Sequence, residues 1–230
     1  MVTRVTTFAC LPQSWQNLPS YPASMPTPIG HALAGVAAAW AVDLVPGDRL
    51  SRIAHTSASW YQRAGNGLTL ICAGLAVAPD VDLLLLPFYP QSHRTVTHSV
   101  GAALVVGMLA GAVAARTQRS AAGVARVATM CVTAYATHLL LDWLGADNYP
   151  PRGIQLLWPF SHAWFISDLD LFPQTARRQI LTAPIVRLNL VAIAQESAIL
   201  LPILVALWLV RVKALAGLAT ELPRSDHAPQ

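Results

Sequence analysis

Five long apolar runs, parted by short polar stretches, constrain this chain more than any other feature. They cover Ile29 to Val45, Gly67 to Phe88, His98 to Ala115, Ala121 to Gly145 and, roughly, Leu188 to Val210. A helix that crosses a bilayer needs about 20 mainly apolar residues, with a lower limit of roughly 17. The first run stands at that limit and reads as a tilted or partly shielded span; the others exceed it. Only 11% of the 230 residues are charged and 54% are hydrophobic, whereas a soluble domain carries about a quarter charged residues. Too few charges remain to cover a water-facing surface. The expected fold is therefore all-α, an integral membrane helical bundle of about five spans, and the length suits one domain.

Local signals divide the chain further. Thr27-Pro28 reads as a helix N-cap followed by proline in the first turn, and Pro46-Gly47 ends the first run. A polar loop with Arg49, Arg52, His55 and Arg63 fills residues 46–66. Pro79-Asp80-Val81-Asp82 interrupts the second run near its end, and residues 89–97 form a short loop. Residues 146–184 mix Pro, Trp, Asp and Arg, which suits an interfacial or re-entrant segment between spans four and five. Pro202 is the expected kink in span five, and Arg211 and Lys213 are expected to stop it. The membrane domain is thus placed at residues 25–215, with a polar tail at 216–230. Residues 1–24 lack the continuous apolar stretch of a signal peptide. They read either as a disordered extension or as a stretch ahead of a start at Met25.

The formal charge is +4, and its basic residues are almost all arginines scattered between apolar runs. That pattern suits loop charges that orient a membrane protein and excludes a nucleic-acid partner. Cys10, Cys72 and Cys131 show no CxxC spacing, so no disulfide framework is expected. Five spans put the termini on opposite sides. One side holds Arg49, Arg52, Arg63, Arg116, Arg119, Arg126, Arg211, Lys213 and Arg224; the other holds Arg4, Arg94, Arg152, Arg177, Arg178 and Arg187. Nine against six places the C-terminus in the cytoplasm of a multi-pass inner-membrane protein.

On that topology the ionisable residues gather at one face, the outer or periplasmic one. His31 begins span one, Asp80 and Asp82 lie near the outer end of span two, and His93, Arg94 and His98 occupy the outer loop and the start of span three. His138 and Asp142 close span four, and their spacing of four stacks them on one helical side. Asp80 and Asp82, two residues apart beside apolar sequence, repel each other unless a cation lies between them. Even one unpaired charge at membrane depth costs about 2.5–3.5 kcal/mol on insertion scales. His31, Asp80, Asp82, His93, His98, His138 and Asp142 are therefore the expected metal ligands. They outnumber the three or so protein ligands of one catalytic zinc, so two or three ions are plausible. Zinc is the expected ion and manganese the alternative. Arg94 suits a clamp on an anionic substrate group.

Other polar residues carry blander readings. Asp168 and Asp170 read as surface, His55 and His227 as solvated, and His162 as a supporting residue behind the site. Glu196 reads as a helix–helix hydrogen-bonding group that could approach the site.

The segments PTPIGHALAG, APDVDLL, HRTVTHS, THLLLDWLG and LLWPFS, in this order, resemble the YdjM-like membrane-bound metal-dependent hydrolases. The resemblance covers roughly residues 25–172. Its matching positions are His31, Asp80, Asp82, His93, Arg94, His98, His138, Asp142 and Pro159-Phe160-Ser161. It leaves residues 1–24 and the aromatic-rich stretch 158–172 without a role. The family is distantly similar to zinc-dependent phospholipase C enzymes, which implies hydrolysis of a phosphoester in a membrane lipid or another amphiphile. In that reading bound metal activates water, Asp82 binds metal or serves as base, and Arg94 steadies phosphoryl charge. A proton- or metal-ion transporter, or a membrane protein with a structural metal, are the competing expectations.

Overall fold

The computed structural model describes residues 23–24, 26–44, 67–85, 88–89, 92–118, 120–148, 150–176 and 179–220. Most of the expected extension before Met25, the 46–66 loop with His55, and the end of the tail with His227 lie outside the described residues.

Among the described residues, five α-helices carry the five apolar runs: α1 Pro28–Leu44, α2 Gly67–Val77, α3 Val100–Ala114, α4 Ala121–Leu144 and α5 Ala183–Thr220. Their ends follow local chemistry. Gly30 N donates to Thr27 Oγ1 at 3.1 Å at the start of α1. Ser99 and Ser120 cap α3 and α4 by accepting from Ala102 N and Gly123 N. At Pro79, which has no N–H to donate, α2 gives way to a 3-10 helix over Ala78–Leu85. Eight residues is long for that conformation, which usually runs to about three or four.

The last helix departs from expectation at both ends. It begins at Ala183, contains Pro202, and passes Arg211 and Lys213 to reach Thr220. Arg211 does not stop it, because the guanidinium turns inward and bonds Asp43. The boundary expected at 215 therefore falls inside a helix.

Among the described residues, three helical stretches are long and apolar enough to cross a membrane: Gly67–Leu85, Ala121–Leu144 and Ala183–Lys213. The helices Pro28–Leu44 and Val100–Ala114 are shorter. The 15 residues of α3 span about 22 Å, against roughly 30 Å for the hydrocarbon core.

Small residues hold the bundle together. One buried cluster joins Ala39, Cys72, Met130, Cys131 and Ala134, and the described cysteines are both free and buried, as expected. A Cβ added at Gly35 would lie 2.5 Å from Ala76 Cβ and 2.7 Å from the Cys72 carbonyl, so α1 and α2 meet at backbone distance there. Large side chains such as Leu70, Leu104, Met108 and Leu109 face outward. That inversion of a water-soluble packing plan fits helices whose solvent is lipid.

The described residues between Gly145 and Ala176 fold back over one end of the bundle. Ser167 N and Leu171 N donate to the carbonyls of Trp143 and Leu144, and Val100 N donates to Leu156 O. The segment ends in β2, Thr175–Ala176, which pairs antiparallel with β1, Ala23–Ser24. Phe160 at its turn is 94% exposed.

Candidate metal centre

Antiparallel helices bring alternate ends together. The first turn of α1 carries His31, the 3-10 helix carries Asp80 and Asp82, the loop into α3 carries His93, Arg94 and His98, and the last turns of α4 carry His138 and Asp142. All eight lie at the same end of the bundle.

The centre of the cluster is buried. His31, His98 and His138 are 0% exposed and Asp142 is 1% exposed. His138 Nε2 lies 3.1 Å from His98 Nε2 and 3.2 Å from Asp142 Oδ2, and His98 Nε2 lies 3.4 Å from the same oxygen. His31 Nε2 is 3.4 Å from Asp142 Oδ1, and its ring stacks on that of His138 at 3.8 Å. Asp80 Oδ1 stands 3.8 Å from both His98 Nε2 and His138 Nε2.

Neighbouring groups determine which ring nitrogens carry protons. His138 Nδ1 is 2.8 Å from the Ala76 carbonyl, which can only accept, so Nδ1 is protonated and Nε2 presents its lone pair. His98 Nδ1 lies 3.3 Å from Asp82 Oδ2, which assigns its proton in the same way. In the neutral tautomers two imidazole lone pairs and a carboxylate oxygen then converge. A proton on His98 Nε2, which Asp80, Asp82 and Asp142 favour against burial, or a shared cation relieves that repulsion. The spacing suits one, since a tetrahedral ion with Zn–N bonds of about 2.0–2.1 Å has ligand atoms roughly 3.3 Å apart. Both ring nitrogens of His31 and both oxygens of Asp142 are buried with no hydrogen-bond partner among the described residues. Orphaned polar atoms of this kind are what a site built for an ion leaves behind.

Ligand atoms gather within 4.8 Å in three sets: His31, Asp80 and His138; Asp80, His93 and His98; and His98, His138 and Asp142. Asp80 belongs to two of them. His93 sits at the edge, where burial holds its imidazole below the ordinary histidine range against the opposing pull of Asp82. A neutral imidazole is the form that ligates.

Asp82 does not join these sets. Its Oδ1 lies 2.7 Å from His93 Nδ1, and its Oδ2 accepts from Thr97 Oγ1 at 2.7 Å and Arg94 N at 3.3 Å. It stands behind the histidines and turns their other nitrogens toward the cluster, a carboxylate–histidine arrangement typical of metal sites. Arg94 is also placed differently from a substrate clamp. It is buried, and its Nη1 donates to Asp147 Oδ2 at 2.6 Å. Sequence reasoning missed Asp147, which carries no spacing signal and sits in an irregular segment.

The remaining polar residues separate cleanly. Glu196 accepts from Thr27 N at 2.8 Å and from Thr27 Oγ1, so it joins α5 to the first turn of α1. Asp168 is exposed and pairs with Arg152, Asp170 is exposed, and His162 is exposed. At the opposite end of the bundle, Asp43 pairs with Arg126 Nη1 at 3.5 Å and Arg211 Nε at 3.2 Å. That triad was also missed, although a lone acid inside an apolar run was its signal.

The family model described as YdjM inner membrane protein matches residues 25–219. The match extends beyond the 25–172 expected from motifs and takes in nearly all of α5. No curated protein and no solved structure matches the chain.

Proposed function

The chain belongs to the YdjM inner membrane protein family, and from that premise we propose that it is a membrane-embedded, metal-dependent hydrolase cleaving a phosphoester in a lipid headgroup or a similar amphiphile. The observation that carries the proposal is the convergence of His98 Nε2, His138 Nε2 and Asp142 Oδ2 within 3.4 Å.

His98, His138 and Asp142 would hold one ion, and Asp80 would share a second with His93 and His98 or with His31 and His138. Zinc is the first choice for such nitrogen and carboxylate donors, and manganese the alternative. A bound ion of this kind lowers the pKa of its water to about 7 and neutralises phosphoryl charge. The chain's own part is to fix the donors from behind, through Asp82 and the Ala76 carbonyl, and to exclude bulk water. Asp80 and His93 have side chains 12% and 15% exposed, which makes them the open edge for a substrate arriving from the leaflet. The charge bias puts that edge on the outer face and the C-terminus in the cytoplasm.

Burial supports a second reading, a closed structural metal site. Catalytic sites keep an open coordination position and structural ones do not. A transport pathway has less support: among the described residues, a buried cluster of Ala39, Cys72, Met130, Cys131 and Ala134 lies between the two ends of the bundle.

Metal analysis of the detergent-purified protein, followed by assays on phospholipid and on a soluble phosphodiester, tests the proposal. We expect bound divalent metal, metal-dependent hydrolysis, and loss of both in His138→Ala. Metal-free wild-type protein, or full hydrolysis by His138→Ala, overturns it. Bound metal without hydrolysis leaves the structural reading.

A further inference from the structure

Arg94 is pinned at three points. Its N–H donates to Asp82 Oδ2 at 3.3 Å, its carbonyl accepts from Gln155 N at 2.9 Å, and its Nη1 donates to Asp147 Oδ2 at 2.6 Å. Its φ is +66°, in the left-handed region that a β-carbon disfavours. Such a conformation persists only where the surroundings over-determine it, and it tends to mark functional sites.

Asp147 is built for this contact. Its side chain is 0% exposed, and Oδ2 accepts from Gly153 N at 2.7 Å as well as from Arg94. Arg152 Nε donates to its carbonyl at 2.6 Å. Gly153 has φ +92°, and a Cβ there would lie 2.2 Å from the Phe165 carbonyl, so the turn that presents its N–H to Asp147 has no slack. His93 directly precedes Arg94. Tyr135 Oη donates to the Thr97 carbonyl at 2.6 Å and tethers the far side of the same loop beside His98.

We propose that Asp147 is a positioning residue. Through its ion pair with Arg94 it holds the His93–His98 loop in ligating geometry, and Arg94 is an internal strut, not a contact to substrate. The inference rests on the metal reading of the histidines given above. A pair that served folding alone would not need to stand one residue from a ligand on a backbone held in the left-handed region.

The test uses the full-length protein in detergent with Co(II) as the probe, read by its visible absorption and its binding affinity. Asp147→Asn removes the charge and keeps the shape. Arg94→Lys keeps the charge and loses the fixed fork. Far-UV circular dichroism without metal checks folding. We expect both variants to fold, to show a displaced Co(II) spectrum, and to bind Co(II) about 10–100-fold more weakly, the usual effect of disturbing an outer-shell partner. If Asp147→Asn fails to fold, Arg94→Lys alone decides. A wild-type spectrum and affinity in the folded variants overturns the inference. So does an Arg94→Lys protein that loses only affinity for inorganic phosphate, since that is the behaviour of a substrate clamp. Wild-type protein that binds no Co(II) overturns the metal reading itself.

Discussion

His31 has two buried ring nitrogens without a hydrogen bond among the described residues, and its ring lies flat against His138. An imidazole in that position costs stability unless something coordinates it, by roughly 1–3 kcal/mol for each unsatisfied buried group. This separates its structural and ligating roles. His31→Leu should raise or leave unchanged the unfolding temperature of chelator-treated protein. In metal-loaded protein the same change should lower it, because binding to the native state stabilises by mass action. Thermal unfolding with and without chelator checks both signs, and a variant destabilised equally in the two conditions contradicts the ligand role. Asp142 poses the same question from α4: its oxygens face three imidazoles at 3.2–3.4 Å without a hydrogen bond among the described residues. Asp82 is the contrasting residue, since its two oxygens are committed to His93, Thr97 and Arg94 N. The two carboxylates look alike in sequence, and their different duties come from what surrounds each one.

Helix ends and helix contacts decide where those residues meet. Pro79 converts the end of α2 into the 3-10 helix that carries Asp80 and Asp82, and Ser99 starts α3 immediately after His98. The break at Pro79 was legible in the sequence, because proline lacks a donor; the cap at Ser99 was not read there, and the run was placed from His98. The contact of α1 with α2 depends on Gly35, where a side chain would strike Ala76 Cβ and the Cys72 carbonyl. Gly35→Val should therefore push α1 away and destabilise the protein by about 1–3 kcal/mol, the range for overpacking. It should also weaken metal binding, since His31 lies one turn away on α1. Chemical denaturation and Co(II) titration measure the two effects, and unchanged stability would show that the helices are less tightly joined than the geometry states. Glu196 and the Asp43–Arg126–Arg211 triad tie the two ends of α1 to its neighbours. These ties were only partly legible. A buried acid in an apolar run announces that it needs a partner, but not which helix supplies it.

For the whole molecule, buried polar groups gather at the two ends: a metal-type cluster at one, an arginine–aspartate triad at the other, and a cluster of Ala, Cys and Met residues between. The described residues between Gly145 and Ala176 lie at the cluster end, with Phe160 exposed. With the charge bias of nine against six, that end should face the periplasm. In a background without Cys10, Cys72 and Cys131, Phe160→Cys should react with a membrane-impermeant maleimide on intact spheroplasts. A reporter fused after residue 230 should be active only in its cytoplasmic form. The reverse pattern in both probes would invert the topology.

The sequence alone determined that the chain lies in lipid, that its apolar runs are helical, and that His31, Asp80, Asp82, His93, Arg94, His98, His138 and Asp142 share one end. Those conclusions follow from hydropathy and from the alternation of antiparallel spans, which act along the chain and need no knowledge of packing. The tertiary structure decided which carboxylates join the clusters that could hold an ion and which stand behind them, that Arg94 turns inward, and that Asp147 and Asp43 are buried partners of arginines. Such choices depend on burial, tautomer and side-chain direction at contacts between residues as far apart as Arg94 and Asp147. Only the folded chain brings those groups within hydrogen-bond distance.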